Sequence, residues 1–178
     1  MRPPQHSIDA TPILVLPEDP AWDLDRIEAE LEGVPEDDRQ AHPYAQYQRG
    51  DTRYDLHARV TWPGGEGSAA DYLGDGATRF ILQRLSVEHF AEVQDAFSRE
   101  LQREGEHSSF VGVWVKAAKY GIAAIEGDHD IELPRGGRMR ETTLRAVVDK
   151  HGGLDTLTRI GLAAWRLSQP LTAAEGKR

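Results

Sequence analysis

Thr78-Arg79-Phe80-Ile81-Leu82-Gln83-Arg84-Leu85 is the stretch that decides the fold of this 178-residue chain. It is a short apolar strand, and it runs directly into a row of amphipathic helices that continues to about residue 168. Strands followed by a run of helices are typical of the α+β class. The sequence therefore predicts an α+β fold, in which a small antiparallel sheet packs on a bundle of about four helices.

Four helices are predicted after this strand, because apolar residues recur there at spacings of three and four. The first begins after Ser86, whose side chain suits an N-cap. The second is the most hydrophobic, so we expect it to lie centrally in the bundle. The predicted helices cover about 87–104, Ser108 or Ser109 to about Ile125, 140–150 and 155–168.

A further strand is predicted upstream, where residues 53–62 alternate between polar and apolar side chains. Residues 69–73 fit either a return strand or a single helical turn. Together with the strand at 78–84, these pieces form the predicted antiparallel sheet. The apolar face of the 53–62 strand consists of Tyr54, Leu56, Ala58, Val60 and Trp62.

Residues 1–52 are predicted to form an N-terminal arm with one short helix, and residues 53–178 the core domain. Prolines flank the apolar run at 13–16, which favours an edge strand or an extended arm. Trp22 follows the helix start at Asp19-Pro20, and it anchors the arm either to the core or to a neighbouring subunit. The candidate interaction residues are Ile13, Leu14, Val15, Leu16 and Trp22.

The composition argues against nucleic acid as a partner. The chain has 30 Asp and Glu against 21 Lys and Arg, which gives a net charge of −9. An acidic surface repels phosphate backbones, and the sequence contains no long run of basic residues. The lack of cysteine excludes disulfides, thiolate nucleophiles and cysteine-ligated metals.

A membrane partner is not expected either. The longest apolar stretch, from Phe110 to Ile125, is interrupted by Lys116 and Lys119. It is therefore too short and too charged to span a bilayer. The N-terminus opens no apolar run of signal-peptide length. We expect a soluble protein made in the cytoplasm.

The loop from Glu126 to Glu132 concentrates oxygen ligands of the kind that Ca²⁺ prefers. An EF-hand loop that began at Asp128 would need Gly at its sixth position and Glu at its twelfth. Those positions hold Leu133 and Met139, so a solvated acidic loop is favoured and no metal or cofactor is predicted. The metal candidates in the loop are Asp128, His129 and Asp130.

No catalytic residues are predicted. The seven histidines are scattered singly, and none has the spacing of a metalloprotease motif or lies near a nucleophile in a recognisable motif. Catalytic groups can also converge from distant positions in a sequence. An alternative therefore stays open, in which the chain is a metal- or ligand-dependent enzyme built around His107 and the loop at 126–132.

Four segments resemble tail-assembly-chaperone-like proteins encoded among the structural genes of tailed bacteriophages. They are the strand Thr78 to Ser86, with the pattern T-x-F-x-L-x-x-L-S, and the segments Arg53 to Leu56, Ala117 to Gly127 and Leu167 to Lys177. The resemblance covers about residues 53–176. It implies a non-enzymatic protein of the host cytoplasm that binds the tape-measure protein and recruits tail-tube subunits, with no catalytic residues.

Residues 1–52 depart from this resemblance as an added arm. An arm with proline-flanked apolar residues suits strand addition to a neighbouring subunit in a shell or tube. This leaves a second interpretation open, in which the chain is a virion component, such as a capsid cement or head–tail joining protein. Its partners would then be capsid subunits, other phage structural proteins or further copies of this chain.

Overall fold

The computed structural model describes residues 13–49, 69–103, 109–127, 131 and 141–169. Within those residues it contains a small three-stranded antiparallel sheet and seven α-helices, which confirms the predicted α+β fold. The chain divides into two compact units, Met1–Leu82 with Ala124–Asp130 and Gln83–Ala123 with Ile131–Arg178. The predicted domain division between residues 52 and 53 lies outside the described residues.

The described elements follow one another in the order strand, three helices, 3₁₀ turn, strand, two helices, strand and two helices. Their bounds are β1 Ile13–Leu14, α1 Leu24–Leu31, α2 Glu36–Arg39, α3 Pro43–Arg49, a 3₁₀ turn at Ala69–Tyr72, β2 Arg79–Leu82, α4 Val87–Gln102, α5 Val111–Gly121, β3 Ile122–Glu126, α6 Glu141–Lys150 and α7 Leu154–Ser168. The 3₁₀ turn decides between the two alternatives that the sequence left open for residues 69–73.

The sheet has the strand order β1–β2–β3, so the apolar strand that precedes the helices lies in its centre. β1 is antiparallel to β2, with Leu14 opposite Phe80. Phe80 and Leu82 are buried and alternate with half-buried residues, as expected of a strand with one face on a core. Of the three described strands, β2 comes from the region 53–85 in which the sheet was predicted, and the predicted strand at 53–62 lies outside the described residues.

β3 corrects the sequence prediction for the second helix, which was expected to continue to about Ile125. The helix α5 ends at Gly121, and the backbone becomes extended at Ile122. Ile122 and Ile125 are both buried and three residues apart, which is the spacing of one face of a helix and not the alternation of a strand. Pairing with β2 decides the outcome, and that pairing is not visible in local periodicity.

In the second unit the most extensive helix–helix contact joins α7 to α5, the helix that was expected to lie centrally. α7 packs against α4, α5 and α6. All of its residues from Ile160 to Ser168 are buried or half-buried. α5 and α7 approach closely because Gly161 lies against the carbonyl oxygen of Trp114, where a side chain would overlap it. Small residues therefore bring the two most apolar helices into direct backbone contact.

The first unit has a core of its own around Trp22. The Trp22 indole Nε1 donates to the carbonyl oxygen of Leu16 at 2.8 Å, and its ring lies 5.0 Å from that of Tyr44 and 5.1 Å from that of Tyr47. The Tyr47 hydroxyl bonds both the N–H and the carbonyl of Val15. The chain after β1 is thus held by aromatic side chains of its own unit.

Candidate functional site

The outer side of α1 is an open charged surface. At 3.6 residues per turn, one side of this helix presents Asp25, Glu28 and Glu32, while Ile27 points to the core and is buried. A depression of about 610 Å³ lies between α1 and α2. Its walls are formed by Asp25, Glu28, Ala29, Leu31, Glu32 and Arg39.

Leucine side chains share this side of α1 with the carboxylates. Leu24 is the first residue of the helix and is 48% exposed, and Leu31, which lines the depression, is half-buried. They lie seven residues apart, which is about two helical turns. A face with both charges and exposed leucine has the composition of a surface that another protein can cover. We call this surface, which consists of Leu24, Asp25, Glu28, Ala29, Leu31, Glu32 and Arg39, the α1 face.

The charge of the chain is concentrated around the α1 face. Residues 18–39 contain ten Asp and Glu and two Arg, a net charge of −8, while the whole chain carries −9. The other residues are therefore nearly neutral as a group. A local excess of one sign raises the concentration of oppositely charged partners near the surface.

Another side of α1 is anchored through Glu30, whose side chain is 41% exposed. One oxygen of its carboxylate, Oε1, accepts a hydrogen bond from Nε of Arg26 at 3.0 Å. The other, Oε2, accepts one from the Tyr72 hydroxyl at 2.6 Å and lies 3.4 Å from Nε2 of His42. One carboxylate thus joins α1 to the 3₁₀ turn and to the segment before α3.

These contacts shift the ionisation of the residues that make them. The hydrogen bond from Tyr72 holds the pKa of Glu30 below its usual value, and the bond from Arg26 acts in the same direction. The bond to Glu30 and burial raise the pKa of Tyr72, while Glu30 also raises the pKa of Arg26. The carboxylate is stabilised in its charged form because donors from three segments converge on it.

Further contacts fix the start of the same helix. The Asp23 side chain accepts from the backbone N–H of Arg26 at 3.1 Å as an N-cap, and the Asp23 backbone N–H donates to the carbonyl of Tyr72 at 2.8 Å. The Arg26 guanidinium donates to the carbonyl of Asp71 at 3.0 Å and lies 4.5 Å from the centre of the Tyr72 ring. The Glu30 cluster therefore positions α1, and the outer side of the helix stays open.

The predicted interaction residues lie mostly in the core of the first unit. Leu14, Val15, Leu16 and Trp22 are buried there, and Ile13 is half-buried. Trp22 was expected to anchor the arm to the core or to a neighbouring subunit, and in the structure it contacts residues of its own unit. A partner could reach these side chains only if the segment moved away, so their role in binding stays a prediction. The metal candidates Asp128, His129 and Asp130, and also His107, lie outside the described residues.

The second unit contains an aromatic cluster that is only partly covered. The ring of Phe97 lies 5.2 Å from Phe110, 5.7 Å from Trp114 and 5.5 Å from Trp165. Leu101, one turn further along α4, is 63% exposed. This cluster packs helices α4, α5 and α7 together, and the apolar spacing of these helices in the sequence indicates the same core role.

The α1 face was not predicted as a site from the sequence. Its residues lie within residues 1–52, which were predicted to form an arm with one short helix. The signal that could have identified the face is the charge of residues 18–39, because that stretch alone carries almost all of the net charge.

Comparisons with models of protein families, with curated proteins and with solved structures found no match. Across the described parts of the chain, no group of three or more His, Asp or Glu is arranged to hold a metal ion. In those same parts, no helix has both the length and the apolar character needed to cross a membrane.

Proposed function

We propose that this protein acts by binding other proteins and without catalysis, as a tail-assembly-chaperone-like protein of a tailed bacteriophage. Its site of action is then the host cytoplasm, and its partners are tape-measure or tail-tube subunits. The resemblance of residues 53–176 supports the phage role. The observation that carries the protein-binding role is the α1 face. It is an open acidic surface with an exposed leucine, on a helix that contacts of Glu30 and Asp23 fix to its unit.

The anchoring of α1 supports this role physically. Association costs free energy for every side chain and loop that must be ordered when the complex forms. The backbone of α1 is already fixed through Glu30 and Asp23, so a partner of the α1 face would not have to order it. Charges at such a surface set the rate and the orientation of encounter, and the exposed part of Leu24 offers apolar area to bury.

The location of the protein during infection tests the proposal. We expect an affinity-tagged chain to co-purify with tape-measure or tail-tube subunits from infected cells, and to be absent from purified mature particles by mass spectrometry. Many copies per particle would instead support a virion structural component, which is the second interpretation of the sequence. The proposal fails if the tagged chain binds no structural protein of the phage.

A further inference from the structure

We infer that the α1 face binds a positively charged segment of a partner protein that also carries an apolar side chain. This inference rests on the proposed protein-binding function and specifies the chemistry of the partner. It is carried by three features of the same surface, which are the spacing of its carboxylates, the exposed leucine and the open depression beside them.

The carboxylates are spread along the helix and so suit several cationic side chains. Asp25 and Glu32 are seven residues apart, which corresponds to about 10 Å along the helix axis, and Glu28 lies between them. Guanidinium and ammonium groups on neighbouring residues of a partner can pair with carboxylates at such separations. Arginine is favoured because its planar guanidinium can form two parallel hydrogen bonds with one carboxylate.

The charges around the depression limit which partners fit it, and Arg39 is one of them. It is the one cation among the lining residues that the structure describes, and its Nε donates to the carbonyl of Val34 at 2.8 Å. These described residues carry three carboxylates and one guanidinium, and they lie in the stretch 18–39 with its net charge of −8. An acidic peptide or a phosphate backbone would be repelled, whereas a basic segment would be attracted even before contact.

The leucines supply the part of the binding that salt does not screen. Leu24 has about half of its surface in contact with solvent at the end of the α1 face, and Leu31 forms part of the depression. Covering Leu24 removes apolar area from water, which is favourable whatever the ionic strength. The depression of about 610 Å³ has the volume of an ordinary ligand pocket, about 300–1,000 Å³, and so accommodates side chains of a partner.

Binding of defined peptides to the full chain tests this inference. The probes are a fluorescent peptide of arginines and leucines, a second with serine for leucine, and a third with glutamate for arginine. We expect the first peptide to bind most tightly, the serine peptide more weakly, and the glutamate peptide not at all. In spectra of the ¹⁵N-labelled chain, the shifted amides should lie in residues 24–32 and 36–39.

Two triple variants that remove the same number of charges distinguish binding at the α1 face from an effect of net charge on binding. The first variant should bind the arginine–leucine peptide about tenfold more weakly, since each exposed ion pair contributes modestly. It combines Asp25→Asn, Glu28→Gln and Glu32→Gln. The matched control, in the second unit, changes Glu88→Gln, Asp95→Asn and Glu141→Gln, all of which are exposed. Equal weakening by both variants, or amide shifts elsewhere, would overturn the inference.

The inference and the proposed function can fail separately. If tail subunits bind the α1-face variant as well as they bind the original chain, the proposed function stands and this inference is wrong. If the peptide binds at the α1 face but no phage protein binds the chain, the surface chemistry is right and the proposed function is wrong.

Discussion

The hydroxyl of Tyr72 donates a hydrogen bond of 2.6 Å to Oε2 of Glu30, and this contact ties the 3₁₀ turn to α1 across 42 residues of sequence. Glu30 and Glu28 are two residues apart on the helix, so their side chains point to roughly opposite sides. The same helix thus has one carboxylate that fixes it to its unit and others that line an open depression. Within these eight residues, one side of the helix carries the anchoring contacts and the other lines the depression.

Removing the Tyr72 hydroxyl is the direct test of this contact. In Tyr72→Phe we expect the pKa of Glu30 to rise toward its usual value, because the largest cause of its depression is gone. The measurement is a titration of the Glu30 side chain by NMR. Tyr44→Phe is the matched control, since it also removes a hydroxyl of the first unit, one that donates to the carbonyl of Pro17 at 3.0 Å. Equal shifts of the Glu30 pKa in both variants would contradict the assignment of its low pKa to the Tyr72 hydroxyl.

The depressed pKa of Glu30 also predicts how the stability of the first unit depends on pH. A carboxyl whose folded pKa lies below its unfolded value, which is about 4.3 for Glu, stabilises the fold above that unfolded value. The contribution is lost as the pH falls through the folded pKa. Glu30→Gln should therefore lower the free energy of unfolding at pH 7, and this difference from the original chain should shrink toward pH 3.

Urea unfolding at the two pH values measures the effect of Glu30. Glu28→Gln is the control, because it makes the same change on the outer side of the same helix. A constant difference between Glu30→Gln and the original chain from pH 7 to pH 3 would show that the charge of Glu30 does not contribute. The expected result is a difference between Glu30→Gln and the original chain that narrows toward pH 3.

Asp19 offers a second test within the first unit. Its Oδ1 accepts from the backbone N–H of Ala21 at 2.9 Å, and its Oδ2 accepts from that of Thr78 at 2.9 Å, next to β2. Asp19 is buried, so Asp19→Ala leaves both N–H groups without this acceptor. We expect a loss of about 1–3 kcal/mol in the free energy of unfolding by chemical denaturation. Asp19→Asn keeps one acceptor oxygen, so its free energy of unfolding should fall by less. An equal loss in both variants would contradict the claim that the two hydrogen bonds of Asp19 stabilise the fold.

The parts of the fold that could be predicted from the sequence are those set by local pattern. α4 starts after Ser86 as expected, because the Ser86 side chain accepts from the N–H of His89 and the apolar spacing of the helix is regular. β2 is predicted correctly for a similar reason, since its apolar run is short and bounded. α7 begins within one residue of the prediction.

The parts that could not be predicted depend on partners distant in the sequence. The helix prediction for β3 is wrong because Ile122 and Ile125 have the spacing of a helix face, whereas the segment pairs with β2 as a strand. The Glu30 cluster could not be predicted, because Tyr72 and Glu30 are far apart in the sequence and neither belongs to a motif. The charge of residues 18–39 is visible in the sequence, but which side of α1 is open depends on the contact of Glu30 with Tyr72.

The close approach of α5 and α7 gives the last prediction. A side chain at Gly161 would overlap the carbonyl of Trp114, and one at Gly121 would overlap Cβ of Ala164, so neither position has room for a methyl group. Gly161→Ala should therefore lower the free energy of unfolding by about 1–3 kcal/mol, because the two helices must move apart. Thermal or chemical denaturation of the full chain measures this loss.

Gly112 provides the matched control, since it lies in α5 and a Cβ added there would meet no atom within 4 Å. Alanine at this position should stabilise the helix by about 0.5–1 kcal/mol, because glycine loses more conformational freedom in a helix than alanine. The two glycine-to-alanine changes are therefore expected to have opposite signs. If Gly161→Ala stabilised the chain as Gly112→Ala does, the backbone contact between α5 and α7 would not exist in solution.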